Sequence, residues 1–357
     1  METFRGESAD EVWAQAAAAL VASGETQPSR SEPTKELRHV VMEVRKPRDR
    51  VVFARPMNPA LAVAEVIWIL AGGNDSKFLI FWNPVMRDFT DDGQDAFYGA
   101  YGFRLGSRPR LSPHAEASLR LVSPVPPAQF DQLRKAELAL RQTNHSRQVV
   151  LQVWDTGLDF PSSVPRSNDI PCNVMSHLLL RNGRLEWLQV MRSNDIVWGL
   201  PNNFVQWTSL QEIVAGWLDV ETGPYVHISD SLHAYKRHWG ALEGWTQDYV
   251  AHVHGLPGNL RIAGYEEWQP IFSQVVDLAL ELTISPDAAK IMAIREQAHA
   301  LPSGYEQWIA LLAADALRRT GHVEEALQLV PEAGQYWADS WQKWEASKAP
   351  KDGLENP

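Results

Sequence analysis

The segment N-D-I-P-C-N (168–173), followed by V-M-S-H-L-L-L-R-N-G-R-L-E-W-L-Q-V-M-R (174–192), S-N-D-I-V-W-G-L-P-N-N (193–203) and H-I-S-D-S-L-H-A-Y (227–235), organises the rest of the chain. Its Asn182–Gly183 pair, set between two apolar runs, is the strongest short turn signal in the sequence and predicts a β-hairpin. The returning strand of a hairpin runs beside the first, which brings Arg192 back to Cys172, the one cysteine of the chain. A guanidinium beside sulfur favours the thiolate, and each pKa unit of lowering is worth about 1.4 kcal/mol. The plainer reading of a solitary cysteine is an inert buried side chain.

After the hairpin, Phe204, Trp207, Leu210, Ile213, Val214 and Trp217 recur at helical spacing and predict a helix from about 203 to 219, stopped by T-G-P. Asn203 then reads either as the cap of that helix or as a functional amide, and Ser193 and Asp195 either as turn formers or as ligand contacts. Y-V-H-I-S predicts a short strand ahead of His233 and Tyr235, which read equally as ordinary core residues. Upstream, S-S-V-P-R-S-N-D-I-P (162–171) is a loop leading into the cysteine, and S-R-Q-V-V-L-Q-V-W (146–154) is a buried strand. Residues 127–143 are a helix. Residues 78–105, rich in aromatics and glycines without a period, form a long irregular loop of the kind that is often functional.

The stretch N-P-A-L-A-V-A-E-V-I-W-I-L-A-G-G (58–73) predicts a helix with Asn58 as cap, Pro59 in the first turn and a glycine stop. Glu65 lies among Ala, Val, Ile and Trp, where an acid is costly unless it is partnered or protonated; the bland alternative is a carboxylate reaching solvent or one arginine. E-L-R-H-V-V-M-E-V (36–44) alternates as a strand, S-A-D-E opens a capped helix over 8–22, and 23–34 is a polar connector. From about 270 the pattern changes to stacked amphipathic helices with a loose final S-K-A-P-K-D-G-L-E-N-P. This gives three parts: an N-terminal helix and linker (1–34), a main domain (35–269) and a helical C-terminal extension (270–357).

Composition bounds the possibilities. At 357 residues, 45% hydrophobic and 22% charged, the chain suits one large or two modest globular domains. A net charge of −11 argues against a broad nucleic-acid surface while leaving room for a local basic pocket that grips one phosphate. No run approaches the roughly 20 apolar residues that cross a bilayer, the opening lacks a basic-then-apolar leader, and one cysteine forms no internal disulfide. A cytoplasmic setting without membrane attachment is expected. There is no metal-spaced Cys/His cluster.

P-C-N (171–173), the R-S-x-D-x-x-x-G-L-P-x-N segment (192–203) and H-x-Y (233–235) stand in the order and approximate spacing of thymidylate synthase, as do A-E-V-I-W-I-L (64–70), I-F-W (80–82), F-Y-G (97–99) and S-R (146–147). Over about residues 35–240 the chain resembles that family and its relatives, the pyrimidine-nucleotide hydroxymethylases. The resemblance implies an α/β (α+β) fold with a large mixed sheet flanked by helices, and a homodimer formed sheet against sheet. It implies a one-carbon transferase that takes its carbon from 5,10-methylenetetrahydrofolate, uses no metal, and acts on a pyrimidine nucleoside monophosphate, dUMP by default. Cys172 would add to carbon 6 of the base and make carbon 5 a nucleophile. Arg192 and Ser193 would hold the phosphate, Arg147 would reach the phosphate in the partner subunit, Asn203 would read the base edge, and His233 and Tyr235 would hold the sugar hydroxyl. Asp195 would bond the pterin, Glu65 would organise proton transfer through water, Tyr98 would help to remove the carbon-5 proton, and Trp68 and Trp82 would pack against the folate.

The pattern also breaks. Asn173 follows the cysteine where histidine is usual, Gln148 follows Arg147 where a second arginine is usual, Asn83 follows Trp82 where aspartate is common, and Ser231, with Asp230 beside it, takes the place of an aspartate. The N-terminal phosphate arginine has only Lys35 and Arg50 as candidates. In place of a short apolar tail that closes over the folate, the chain continues into helices. If water reaches the trapped intermediate before hydride does, the product is hydroxymethyl, so a hydroxymethylase of dUMP, CMP or dCMP is the rival reading. A catalytically weak nucleotide- or partner-binding relative is the third. Asn203 leans toward uracil, but an amide is able to flip.

Overall fold

The computed structural model describes residues 1–91, 95–121, 130–160, 169–251, 254–285 and 287–348. In chain order the elements are β1 (Glu2–Gly6), α1 (Ala9–Ser23), β2 (Glu25–Gln27), β3 (Thr34–Val44), α2 (Pro59–Leu70), α3 (Lys77–Trp82), α4 (Tyr101–Leu105), α5 (Pro113–Leu119), α6 (Gln132–Gln142), β4 (Val150–Gln152), α7 (Thr156–Asp159), β5 (Asn173–Arg181), β6 (Arg184–Met191), β7 (Asn194–Asp195), α8 (Gly199–Leu218), β8 (Glu221–Tyr235) and α9 (Trp239–Gln247). Five more helices follow: α10 (Tyr265–Thr283), α11 (Ala288–Gln297), α12 (Ser303–Arg319), α13 (Val323–Leu329) and α14 (Gln335–Ala346).

One mixed sheet, in the order β1-β3-β8-β6-β5-β4, is the frame; β2 pairs with β3 and β7 with β8. The β5–β6 hairpin forms as predicted, with Asn182 and Gly183 at φ +51° and +71°, the left-handed pair that a tight turn requires. β6 and β8 run parallel, joined by the crossover helix α8. α8 is buried along almost its whole length and fills one side of the sheet. α2 packs against it, capped by the Asn58 side chain, which accepts from Ala60 and Leu61.

Several boundaries differ from the sequence reading. α8 begins at Gly199, four residues early, so Asn203 is inside the helix and caps nothing. The strand bearing His233 and Tyr235 is fifteen residues long and central, because β3 and β6 supply partners along it. The expected buried strand over 146–154 shrinks to an edge strand with two exposed residues. The irregular 78–105 stretch contains α3, a 3-10 turn and α4. The 1–34 segment is more than a helix and linker: the Ser8 cap forms on Glu11 N–H, and β1 pairs in parallel with β3 inside the sheet. Of the expected helix over 127–143, residues 127–129 lie outside the described residues, as do most of the 162–171 loop and the tail from 349.

The C-terminal helices are continuous with the main core. Arg319 of α12 donates to the Trp82 carbonyl and bonds Asp315 at 2.6 Å. The Tyr336 hydroxyl accepts from Val51 N–H at 2.8 Å. Trp268 donates to the Tyr305 hydroxyl, which donates to the Leu260 carbonyl, each at 2.8 Å.

Candidate active site

Cys172 sits one residue before β5 and Arg192 one residue after β6, and the Arg192 N–H donates to the Cys172 carbonyl at 2.9 Å. The hairpin therefore makes them neighbours, as the sequence implied. The guanidinium donates to the carbonyls of Pro171 (3.0 Å) and Ile170 (3.1 Å) and lies over Trp154, clamping the loop that leads into the cysteine. The residue as a whole is half-buried, with its sulfur on the inner side. Burial raises its pKa; Arg192 and Arg30 pull the other way, while Asp169 and Asp195 add to the rise. The expected favouring of thiolate by Arg192 is present but outweighed by desolvation.

Glu65 projects from the apolar α2, and burial raises its pKa to about 7. Its carboxylate accepts from Gln206 Nε2 at 3.0 Å, and Gln206 Oε1 accepts from Asn203 Nδ2 at 2.9 Å. The buried acid of the sequence reading thus has an amide partner, and the relay ends on the side chain expected to read the base.

The tyrosine at this centre is Tyr101, where the sequence reading placed Tyr98. The Tyr98 hydroxyl donates to the Leu158 carbonyl at 2.7 Å, its ring is stacked by Arg104, and the charges that act on it are Asp159 and Arg104. The Tyr101 hydroxyl is pushed up first by burial and then by Cys172, Asp169 and Glu65, with Arg192 opposing. Close packing puts it there: a Cβ on Gly102 would lie 2.1 Å from the Ile69 carbonyl, and one on Gly99 would lie 2.6 Å from the Asp169 carbonyl. The glycines let α4 dock between α2 and the cysteine loop. The repeated Y-G in Y-G-A-Y-G was the signal that allowed either tyrosine.

Asp195 holds the turn into α8 by accepting from Val197 (2.7 Å) and Trp198 (3.3 Å). Its charge also reaches Cys172, Tyr235 and Arg55, so the turn role and a place in the cleft coexist. Ser193 is half-buried beside it. His233 and Tyr235 lie edge to face, 5.3 Å apart, and Tyr235 senses Asp195, Arg237, Cys172 and Arg30. Ser231 donates to Glu36, whereas Asp230 is exposed and pairs with His39 at 2.6 Å, turned away from the cleft. Asn173 is fully buried and accepts from Gln189 at 2.9 Å. Asn83 caps the turn after α3, accepting from Val85 N–H.

Both candidates for the N-terminal phosphate cation are committed elsewhere. Arg50 is buried against Ser209 and Glu212. Lys35 donates to the Val21 carbonyl at 3.3 Å and lies over Trp239. The exposed Arg30, overlooked in the polar connector, is the cation whose charge reaches Cys172 and Tyr235. Arg147 and Gln148 are exposed at the sheet edge, and the Arg147 carbonyl meets His177.

The tryptophans expected to face folate are inside. Trp82 has no exposed surface and packs on Phe78 and Phe81, and Trp68 is 6% exposed with its N–H on Asp75. The exposed indole beside Asp195 is Trp198, 51% exposed, anchored by its N–H to His238 at 2.8 Å and stacked by Arg55 at 4.7 Å. Arg55 is buried and drawn down to about 10 by desolvation against the Asp195 carboxylate, and its Nε has no hydrogen-bond partner among the described residues. A flat aromatic co-substrate suits an open indole beside a guanidinium with one unpartnered N–H. Among the described residues no cluster of His, Cys, Asp and Glu is arranged to hold a metal, and no helix is long and apolar enough to cross a membrane.

The family model described as thymidylate synthase matches residues 12–254. A deoxyuridylate hydroxymethyltransferase of Bacillus phage SP01 is 34% identical over 245 residues, covering 68% of this chain and 61% of the relative. One of Pseudomonas phage M6 is 33% identical over 197 residues, covering 54% and 49%. A thymidylate synthase of Vesicomyosocius okutanii is 24% identical over 186 residues, covering 51% and 61%. The chain thus spans between about half and three fifths of the length of these relatives.

Proposed function

The chain belongs to the thymidylate synthase family, and from that premise we propose that it transfers a one-carbon unit from 5,10-methylenetetrahydrofolate to carbon 5 of dUMP and releases 5-hydroxymethyl-dUMP. The observation that carries this reading is the convergence on one cleft of Cys172, Arg192, Tyr101 and the Glu65–Gln206–Asn203 relay. Cys172 sulfur bonds to carbon 6 of the base, and the electron pair moved to carbon 5 forms the new carbon–carbon bond. Loss of the carbon-5 proton, with Tyr101 and Glu65 as the nearby acid–base groups, and departure of tetrahydrofolate leave an exocyclic methylene. A water oxygen adds to that methylene and the sulfur leaves carbon 6, so the folate is released unoxidised.

The hydroxymethyl outcome is favoured over methyl by the names of the more similar relatives. Arg192, Ser193 and Arg30 hold the phosphate, His233 and Tyr235 the sugar, Asn203 the base, and Trp198 with Arg55 and Asp195 the folate. A homodimer is supported by the outer sheet face, where Val41, Leu188, Val190, Val226 and Ile228 form a half-exposed apolar strip of strand neighbours. Arg147 then reaches the phosphate of the partner's site. A reducing cytoplasm suits the single cysteine nucleophile.

The test is incubation with methylenetetrahydrofolate and a panel of monophosphates (dUMP, dCMP, CMP), read by mass spectrometry and by dihydrofolate absorbance. Hydroxymethyl-dUMP without dihydrofolate is expected. Thymidylate with dihydrofolate would move the reading to methylation, and no product with retained nucleotide binding would leave a binding protein. Cys172→Ala should abolish turnover and keep nucleotide binding.

A further inference from the structure

We propose that Gln206 sets the base specificity of this site by locking the Asn203 amide in the orientation that reads uracil and rejects cytosine. This rests on the nucleotide reading above. An ionised carboxylate only accepts hydrogen bonds, so Glu65 fixes Gln206 with its Nε2 toward the acid, at 3.0 Å. Gln206 Oε1 then faces Asn203, whose Nδ2 donates to it at 2.9 Å. The Asn203 carbonyl oxygen is thereby turned to the opposite side, toward the Asn194–Gly199 turn, where a Cβ on Gly199 would lie 3.8 Å from it. Asn203 is 5% exposed and Gln206 also 5%, so neither amide has bulk water as an alternative partner.

The consequence is directional. Uracil offers an N–H at position 3 and a carbonyl at position 4; Asn203 Oδ1 accepts the first, and the second N–H of Nδ2 donates to the other. Cytosine offers the reverse, a bare nitrogen and an amino group, and needs the amide turned over. Turning Asn203 sets its oxygen against Gln206 Oε1, and turning Gln206 to relieve that sets Oε1 against the Glu65 carboxylate. Two like acceptors in a buried site meet at either place, and a buried polar mismatch is what gives hydrogen-bonded pockets their large discrimination. The flip that left the base undecided in the sequence is blocked by a residue three helical positions beyond the recognised motif.

The experiment uses the full chain with Cys172→Ser, to prevent turnover, and measures equilibrium binding of dUMP and dCMP by calorimetry at about pH 8.5, where Glu65 is ionised. Gln206→Met keeps the volume and removes both amide contacts. The preference for dUMP over dCMP is expected to fall about 10-fold or more, with dCMP gaining affinity while dUMP changes less. Should Gln206→Met melt early, Gln206→Asn, too short to span both partners, gives the same readout. Equal weakening of both nucleotides, with the ratio kept, would mean that Gln206 is merely structural and would overturn the proposal. Failure of the Gln206-intact protein to bind either nucleotide would instead remove the nucleotide reading itself, and the lock with it.

Discussion

The backbone N–H of Arg192 bonds to the carbonyl of Cys172 at 2.9 Å, so thiol and guanidinium leave adjacent strands at the same level of the sheet. Even so, burial holds the thiol pKa above its ordinary value, with Arg192 the largest opposing influence. The free protein should therefore react slowly with iodoacetamide at neutral pH and speed up as the thiol ionises in alkali. Arg192→Gln should move that profile to higher pH. As the chain has one cysteine, labelling followed by intact mass reads this without ambiguity; a profile centred below that of a free thiol would contradict the assignment.

Glu65 titrates near 7 because its charged form is poorly solvated. Two effects of opposite sign follow. Turnover needing the carboxylate should rise with pH through about 7, and Glu65→Gln should lower kcat by about 10²-fold or more and flatten that limb. For folding, a carboxyl whose folded pKa lies above its unfolded value favours the native state while protonated, and that contribution is lost as pH rises through about 7. Glu65→Gln should thus raise Tm at pH 8 and change it little at pH 5, measured by calorimetry.

Arg30 is exposed, while Lys35 and Arg50 already have partners. Arg30→Ala should raise the KM for the monophosphate by about 10-fold, and should leave binding of the matching nucleoside, which lacks the phosphate, unchanged. Lys35→Ala should leave both unchanged. The measurement is steady-state kinetics beside nucleoside inhibition.

Arg50 and Glu212 are 1% and 0% exposed and bonded to each other; Arg48 reaches the same carboxylate at 3.0 Å, as does the Leu260 N–H at 3.1 Å. Arg50→Met leaves Glu212 buried with two of these three partners and should cost about 3–5 kcal/mol in urea unfolding. Arg50→Met with Glu212→Leu should recover much of that loss, since replacing a buried pair by apolar groups is often close to neutral.

How much was legible varied with the range of the interaction. The hairpin, the α2 cap and the Cys172–Arg192 adjacency are local or joined by one turn, so residue pattern alone specified them. Glu65 was visible as an acid among apolar neighbours because burial cost follows from composition of one helix face. Tyr98 and Tyr101 stand three residues apart in similar text, and the docking of Gly99 and Gly102 against Asp169 and Ile69 is what brings Tyr101 within electrostatic reach of the thiol. Trp82 read as a ligand contact because its motif carries no record of Arg319, which meets its carbonyl from 237 residues away.

By itself the sequence determined the family-like order of chemical groups, the hairpin and the helical character of the C-terminal part, because turn chemistry and hydrophobic period act over a few residues. Tertiary structure alone decided which tyrosine and which connector arginine act on the thiol, which tryptophan is exposed, and which way the Asn203 amide points. Those outcomes depend on Glu65, Gln206 and Asn203 being brought together from two helices. A hydrogen-bond direction passed across that junction exists only once both helices are packed.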